Sequence, residues 1–432
     1  MPDTSILESP ATADFGLADW LRWQEGLNPR LVDLGLDRCA RVARRMGLAS
    51  LPMPVVTVAG TNGKGSCIAY LASILESAGH PVAAYTSPFL RRYNESLHLG
   101  GREVEDGALI AAFENVEQAR DGVALTFFEF RTLAVLDIIR RSQASVALLE
   151  VGLGGRLDAV NLMDADVAVV TSVDLDHTDW LGPDRESIGG EKAGIFRQGR
   201  PAVCGDPSPP ASLVEHARTL GADLHTIGCE FSWCRDGPGW SWQGPGVDHR
   251  RLPAPGMGGV FQHRNAAAAL MALQLLAPWL TVDAAAVREG IAAAWLPARQ
   301  QILAGAVERV IDVAHNGEAA RALAATLAAR PSARRSHAVF AILADKDSLA
   351  VAGALDGLVD EWHTATLPGP RGQTGERLAD GLRRQFPGHP VTVHGDVAEA
   401  WRAAMSGARS GDRVIAFGSF LTAREVLSVE NG

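Results

Sequence analysis

A chain of 432 residues is too long for one typical hydrophobic core and implies two or three domains. With 47% hydrophobic and 21% charged residues it has the composition of a soluble globular protein, and a formal net charge of −10 provides no basic stripe for nucleic acid, although local Lys and Arg can still serve anionic substrates. No apolar run reaches membrane-spanning length, and Met1–Asp14 lacks the basic start and apolar stretch of a secretory signal. The five cysteines (Cys39, Cys67, Cys204, Cys229, Cys234) are scattered, and Cys229 and Cys234 have no second pair at zinc spacing. That argues against structural zinc and for reduced thiols in a cytoplasm.

Along the chain, Leu17–Glu25 reads as a helix broken by Gly26 and Pro29, and Leu36–Met46, with Arg38, Arg41, Arg44 and Arg45, as a second helix. Pro54–Ala59 is an apolar strand, followed by Gly60-Thr61-Asn62-Gly63-Lys64-Gly65-Ser66 and then helical spacing from Ile68 to Ala78. Strand, glycine-rich turn, lysine, hydroxyl and helix in that order build a phosphate cradle. Glycines let backbone N–H groups approach a polyphosphate, and the helix N-terminus adds partial positive charge. Lys64 would reach the terminal phosphates and Ser66 would hold Mg²⁺. The pattern departs from G-x-x-x-x-G-K-[ST], because Val58 occupies the first glycine position and Gly65 separates lysine from hydroxyl. The alternative is a glycine-rich turn with an incidental lysine. Use of a nucleoside triphosphate is the expectation, in something other than an ordinary small GTPase.

Val82–Tyr85 is a buried strand, Phe127–Ser142 a helix, and Val146–Val151 a strand leading through Glu150 into the glycine-rich segment Gly152–Asp158. Glu150 either holds Mg²⁺, which takes oxygen ligands, or caps loop amides. Val167–Val173 is a strand running into Asp174-Leu175-Asp176-His177. His177 is either a metal or catalytic group or a satisfied structural histidine. Near-continuous apolar strands separated by helices predict a parallel sheet covered on both faces, with its active groups beyond the strand C-termini. The phosphate loop, Glu150 and His177 are therefore expected in one crevice. On spacing alone Lys192, beside small residues, reads as a solvated surface lysine.

Residues 229–260, rich in Gly, Pro and Trp, predict small β-structure and loops, and an alanine-rich helix follows from Asn265 to Leu276. Asn265 either reads an adenine edge or caps that helix. A domain boundary falls at Leu296–Arg299, with Arg299 placed to reach a phosphate. Beyond it strands are predicted at 307–313, 338–343, 362–365, 391–394 and 414–417, and helices at 318–329, 374–385 and 397–408. Asp312–Asn316 ends the first of these strands, facing the first domain across a cleft. The fold class is α/β: a P-loop-type parallel-sheet ATPase domain plus a smaller Rossmann-like C-terminal domain, which lacks the G-x-G-x-x-G turn of dinucleotide binders. There is no internal repeat.

Taken together, Gly60–Ser66, Thr86-Ser87-Pro88, Arg92–Glu95, Glu150–Asn161, Asp176-His177-Thr178, Glu191–Gly194, His263-Arg264-Asn265, Asp312–Asn316 and Gly418-Ser419-Phe420 resemble the folylpolyglutamate synthases of the Mur ligase superfamily. Within them the chain is most similar to the bacterial bifunctional dihydrofolate synthase/folylpolyglutamate synthases, from Trp20 to Leu427. The resemblance implies an ATP-binding domain of the Mur ligase central type over 1–296 and a glutamate ligase domain over 297–432. It implies ATP phosphates on Thr61, Asn62, Gly63, Lys64 and Gly65 with Ser66 near the metal, one Mg²⁺ on Ser87 and Glu150, and a second with His177. It also implies a carbamylated Lys192, overruling the surface reading, and a monovalent cation. Asn265, Arg299 and Asp312 match nucleotide-contacting positions. His315 joins Lys64, His177 and Lys192 as a catalytic candidate. The pterin would lie near Leu34, Gly35, Leu36 and Asp37, near Thr126, Phe127, Phe128 and Glu129, and near Leu157, Asp158 and Ala159. The implied partners are dihydropteroate, reduced folates and L-glutamate, with no nucleic acid or membrane, in a cytoplasmic monomer.

The implied chemistry is physically coherent. A carboxylate is a poor acyl donor, because its leaving group would be oxide; phosphorylation by ATP gives an acyl phosphate that the α-amino group of L-glutamate attacks, releasing ADP and phosphate. Neutralising charge on the transferring phosphoryl group carries most of the catalysis, and two domains closing over the cleft keep water out. Four positions depart from the family pattern: Phe89 for His, Val160 for Thr, Ala298 for Gly and Gly317 for Pro. None removes a phosphate or metal group. A cell-wall precursor ligase of the same superfamily is the second reading, but only about 50 residues precede the phosphate loop, too few for its additional N-terminal domain. Further alternatives are folylpolyglutamate synthase activity alone, and a non-ligating nucleotide-dependent regulator whose ATP turnover glutamate does not stimulate.

Overall fold

The computed structural model describes residues 15–28, 30 and 32–431, so Pro29, read as a helix breaker, lies outside the described residues. The chain divides into two compact units, Met1–Val173 with Arg185–Leu252 and Ala267–Ile291, and Asp174–Asp184 with Pro253–Ala266 and Ala292–Gly432. The second unit thus takes Asp174–Asp184, Pro253–Ala266 and residues 292–296 from before residue 297.

The first unit is built on β1 (Val55–Ala59), β2 (Val82–Tyr85), β3 (Leu97–Leu99), β4 (Arg102–Glu103), β5 (Val146–Glu150), β6 (Val167–Val170), β7 (Pro201–Cys204) and β8 (Asp223–Thr226). They form one eight-stranded sheet in the order β4-β3-β2-β5-β1-β6-β7-β8. From β2 to β8 all neighbours are parallel; β3 and β4 add an antiparallel edge. β1, β2, β5 and β6 are buried at every position, as their unbroken apolar runs require of strands covered on both faces. The order β2-β5-β1-β6 places the phosphate loop after the central strand, flanked by the ends of β5 and β6. β6 stops at Val170, short of the predicted Val173, because Thr171 and Ser172 leave the strand to bond the phosphate loop. An aromatic cluster of Trp20, Trp23, Phe113 and Phe130 ties the helices Leu17–Glu25 and Phe127–Arg141 into the core.

Residues 229–260 contain a three-stranded antiparallel sheet of β9 (Ser232–Asp236), β10 (Gly239–Gly244) and β11 (Val247–Leu252). Its β10 residues Trp240 and Trp242 are buried, and Trp242 Nε1 donates to the carbonyl of Ala267 at 3.1 Å. The alanine-rich helix runs over Phe261–Leu275.

The second unit holds β12 (Gln301–Leu303), β13 (Glu308–Ile311), β14 (Ser336–Phe340), β15 (Glu361–Ala365), β16 (Val391–His394) and β17 (Arg413–Phe417), in the order β12-β13-β17-β14-β15-β16. Only β12, which the sequence pattern does not predict, is antiparallel to its neighbour. Ala338, Phe340, Trp362, Ile415 and Phe417 build the core of one face with Leu378 and Leu382, and Phe340 stacks on Phe417 at 4.8 Å. Side-chain caps on Asn316, Asp347, Thr374 and Asp396 start the covering helices, each accepting from a backbone N–H in the first turn.

Candidate active site

The phosphate loop is held from below by the end of β6. Thr61 N–H donates to the carbonyl of Ser172 at 2.8 Å, Asn62 N–H to Ser172 Oγ at 3.1 Å, and Thr171 Oγ1 to the carbonyl of Asn62 at 2.6 Å. Gly60 has φ +151°, and a Cβ there would stand 1.9 Å from Thr171 Oγ1. Gly63, at φ +89°, turns the chain into the helix Lys64–Ser77, whose start has no side-chain cap. An uncapped helix start presents amides to an anion, and only glycine takes these two positions without strain. Lys64 is the first helical residue, and its Nζ donates to the carbonyls of Gly60 at 2.9 Å and Thr61 at 3.3 Å.

Glu150 ends β5 and is 4% exposed. Its Oε2 accepts from the Ser87 N–H at 3.0 Å, so the Thr86–Pro88 turn is pinned beside this carboxylate. Asp158 caps the glycine-rich loop. Its Oδ2 accepts from Gly152 N–H at 3.0 Å and Leu153 N–H at 2.9 Å, and its Oδ1 from Val160 N–H at 2.9 Å. Burial pushes the Asp158 carboxyl up to about 6, against the pull of these amides and of Lys64. The carboxylate and hydroxyl oxygens of Glu150, Ser87 and Ser66 suit a hard cation such as Mg²⁺. Val160, where the family carries Thr, is fully buried in the core cluster, which explains an apolar side chain there.

The loop packs against the end of the helix Arg185–Ala193 without room for side chains. A Cβ on Gly155 would stand 2.9 Å from the carbonyl oxygen of Glu191, and one on Gly194 2.7 Å from Arg156 Cα. Arg156 N–H donates to the Glu191 carbonyl at 2.9 Å, and its Nη2 pairs with Glu191 Oε1 at 2.8 Å. Lys192, on this helix, is 3% exposed, so the solvated-surface expectation is wrong. Spacing among small residues reports a helix that can approach closely, not one that faces water.

Three further segments named from the sequence come together in the first unit. Thr126 and Glu129 form a capping box, with Glu129 N–H on Thr126 Oγ1 at 3.2 Å and Thr126 N–H on Glu129 Oε2 at 2.8 Å. Arg38 joins Glu129 Oε1 at 3.1 Å to Asp33 Oδ2 at 2.9 Å, beside the half-buried Leu34, Gly35 and Leu36 and the exposed Asp37. Phe127 and Phe128 are half-buried, and Gly152 approaches Phe128 so closely that a Cβ would stand 2.6 Å from its ring. Ala159 is buried and Leu157 half-buried on the same loop. Sequence reasoning missed Arg131, a buried guanidinium 5.2 Å over the Phe128 ring whose Nε donates to Tyr85 Oη at 3.0 Å. Phe89 packs edge-on against Tyr93 at 5.8 Å on this cluster.

His177 packs within the second unit. It has φ +52° and starts the short helix Thr178–Leu181. The centre of its surroundings is Asp176. Asn316 Nδ2 donates to Asp176 Oδ2 at 3.0 Å, His315 Nε2 lies 3.5 Å from the same oxygen, and Lys346 Nζ pairs with Oδ1. His177 Nε2 lies 3.4 Å from Lys346 Nζ. Burial alone would raise the Asp176 carboxyl, but the His315 hydrogen bond and the charges of Lys346, His177 and His315 hold it well below the carboxylate range. His315 is oriented from its other side, Nδ1 lying 2.8 Å from the carbonyl of Val313. Sequence reasoning passed over Asp176 as a hub and Lys346 altogether; the signal for Lys346 is Asp345-Lys346-Asp347 following the end of β14, a position where polar groups line sites in parallel sheets.

Asn265 lies inside the helix that starts at Phe261, its Nδ2 donating to Gln262 Oε1 at 3.1 Å, so the N-cap alternative is excluded. Asp312 is buried, accepting from Gln300 N–H at 2.8 Å and Ala314 N–H at 2.6 Å, and burial pushes its carboxyl up to about 6 against those amides and Arg299. The Arg299 guanidinium lies 5.1 Å over the Phe420 ring. Ala298 has φ +54°, a conformation that favours the glycine usual in this linker. Gly317 opens the helix Gly317–Ala328 behind its Asn316 cap.

A phosphate cradle at the end of a central parallel strand, an oxygen-rich Ser87–Glu150 pair beside it and a second α/β unit define an ATP-dependent amide-forming ligase of the Mur class. The family described as "Mur ligase, glutamate ligase domain" matches residues 298–420. The chain is 44% identical over 424 residues to the dihydrofolate synthase/folylpolyglutamate synthase of Escherichia coli, spanning 98% of each, and 37% identical to that of Haemophilus influenzae, spanning 96% of this chain and 97% of that one. Among solved structures, Escherichia coli FolC in complex with DHPP and ADP aligns with a TM-score of 0.92 at 43% identity, covering 97% of this chain and 98% of that one. A bifunctional folylpolyglutamate synthase/dihydrofolate synthase with Mn, AMPPNP and L-glutamate bound aligns at 0.89 and 41%, covering 97% and 99%. The chain belongs to the dihydrofolate synthase/folylpolyglutamate synthase family.

Proposed function

We propose that the protein joins L-glutamate to dihydropteroate, giving dihydrofolate, and to reduced folates, giving polyglutamates, with release of ADP and phosphate. The observation that carries this reading is the cradle itself: Lys64 opens an uncapped helix directly after a loop that only glycine can form at Gly60 and Gly63. In this reading Thr61, Asn62, Gly63 and Gly65 hold the phosphates through backbone N–H groups. Lys64 exchanges the carbonyls of Gly60 and Thr61 for the terminal phosphates. The acceptor carboxylate takes the γ-phosphoryl group, the α-amino group of L-glutamate attacks the acyl carbon, phosphate leaves, and the new amide nitrogen gives up a proton. Ser87 and Glu150, with Ser66 near them, would hold one Mg²⁺ and His177 a second, which supply charge neutralisation at the transferring phosphoryl group.

The half-buried faces of Phe127 and Phe128, with Leu34–Asp37 and Leu157–Ala159, offer the pterin an apolar wall. Asn265, Arg299 and Asp312 are assigned to the nucleotide. His315 is held for its role by Val313 and Asp176. The burial of Lys192 supports carbamylation, which turns a cation into a carboxylate-like group; a monovalent cation completes the set. We assign ATP handling to residues 1–296 and glutamate ligation to 297–432, in a cytoplasmic monomer. No helix of the described residues is long and apolar enough to cross a membrane.

The test is ADP release at fixed ATP and glutamate, with dihydropteroate and a reduced folate monoglutamate as alternative acceptors. Release is expected only when acceptor and glutamate are both present. ATP turnover indifferent to glutamate would replace ligation by nucleotide-dependent regulation. Lys64→Ala and Glu150→Gln are expected to lower turnover by about 10²-fold or more, the scale of losing one group that stabilises transition-state charge.

A further inference from the structure

The sheet of the second unit carries a polar cluster that ligation does not use. Side chains alternate across a strand, and while Ala338, Phe340 and Trp362 fill the core face, their neighbours point the other way. There His337 on β14 lies beside Glu361 and His363 on β15, with His337 and Glu361 paired in register. The ligand atoms of these three residues all lie within 4.8 Å of one another. His337 Nδ1 is 3.4 Å from Glu361 Oε2, and His363 Nε2 is 3.8 Å from Glu361 Oε1. His337 is 3% exposed and His363 6%, yet among the described residues neither ring nitrogen of His337 makes a hydrogen bond, nor does His363 Nε2. Two unbonded imidazole nitrogens, His337 Nδ1 and His363 Nε2, facing one carboxylate at a buried point call for a ligand, since buried polar atoms are ordinarily satisfied.

We propose that His337, Glu361 and His363 bind one zinc ion, a site separate from the ligase chemistry that fastens β14 to β15. Two imidazole nitrogens and a carboxylate oxygen are zinc ligands, whereas Mg²⁺ and Ca²⁺ prefer oxygen throughout. Ligand atoms around tetrahedral zinc are roughly 3.3 Å apart, and the three candidate atoms, within 4.8 Å of one another, would draw together around the ion. Of the outer partners of the two histidines, His394 is already bonded and Asp412 stands just beyond hydrogen-bond range. His363 Nδ1 bonds His394 Nε2 at 3.0 Å, which turns Nε2 toward the site. His337 Nε2 faces Asp412 Oδ2 at 3.8 Å, which leaves Nδ1 for the ion. Arg335 Nη2 holds Glu361 Oε2 at 3.1 Å, which leaves Oε1. Metal-bound histidines are commonly oriented by such partners. The side chain of Glu361 is 21% exposed, which gives the ion an entry path and a water for the fourth position. The cysteine spacing, which argued against structural zinc, is blind to a histidine–carboxylate site.

The experiment uses the full, untagged chain, stripped with a chelator and held in excess Mg²⁺, and titrates it with Zn²⁺ alone by calorimetry while following Tm. One equivalent of Zn²⁺ per chain and a rise in Tm are expected. Glu361→Gln and His363→Gln are expected to weaken that binding at least 100-fold and abolish the Tm rise, and Asp412→Asn to weaken it about 10–100-fold. No stoichiometric uptake, or equal affinity in the three variants, would overturn the site. Because the glutamine variants can fail to fold, Co²⁺ is also added to the wild-type chain. An intense tetrahedral visible spectrum supports the proposal, and a weak six-coordinate one overturns it.

Discussion

Asp176 shows how one side chain can set the character of a neighbourhood. Its carboxylate meets Lys346, Asn316 and His315 within the second unit, and Lys346 is itself only 7% exposed at its side chain. Removing one partner of a buried pair strands the other charge, at about 3–5 kcal/mol. Asp176→Asn is therefore expected to destabilise the second unit by about that amount, measured by urea unfolding, while a surface change such as Asp223→Asn leaves it within about 0.5 kcal/mol. Asp158 makes a pH prediction. Its carboxyl is raised from 3.8 to about 6, so between those values the folded state binds more protons than the unfolded state. Its contribution is full below the lower value and is lost as pH rises through the upper. The stability of the ligand-free protein minus that of Asp158→Asn is expected to fall as pH rises from about 4 to about 6.5; a difference that rises over this range would contradict it.

At the scale of elements, what the sequence displayed was whatever depends on neighbours along the chain. The apolar runs of β1, β2 and β5 announce strands buried on both faces, and the elements appear where those runs are. Gly60–Ser66 announces a phosphate loop because glycine at Gly60 and Gly63 is a local requirement of the turn. The element also fixes a consequence: Gly60→Ala forces φ +151° on alanine and drives its Cβ into Thr171. A cost of about 1–3 kcal/mol is expected by thermal or urea unfolding, together with at least a tenfold loss of ATP affinity. Unchanged affinity would show that the loop does not hold the phosphates. β12 and the early start of the helix Phe261–Leu275 escaped notice because neither carries a periodic apolar pattern of its own; β12 is three residues long and forms as a hairpin with β13.

At the scale of the molecule, the second unit is assembled from segments separated by most of a domain. Asp174–Asp184 and Pro253–Ala266 belong to it as fully as the residues after Ala292. A fragment 292–432 therefore loses Asp176 and retains Lys346, a buried cation without its carboxylate. Lys346→Met within that fragment is expected to raise its urea midpoint, because a hydrophobe of similar volume replaces a stranded charge. The opposite order would show that Lys346 is not a stranded charge in the fragment.

By itself, then, the sequence determined the alternation of strands and helices, the place of the phosphate loop and the family, since each is written in residues adjacent in the chain or in motifs kept in order. Only the tertiary structure decided that Asp158 caps the glycine-rich loop, that Lys192 is buried, that Asp176 gathers Lys346 and His315, and that His337, Glu361 and His363 meet on one face of a sheet. These depend on which distant side chains burial brings within hydrogen-bonding range, and no local pattern of residues encodes that distance. The loop at Gly60–Ser66 belongs to both: its glycines are legible in sequence, and Thr171 and Ser172 beneath them are the contacts that make those glycines necessary.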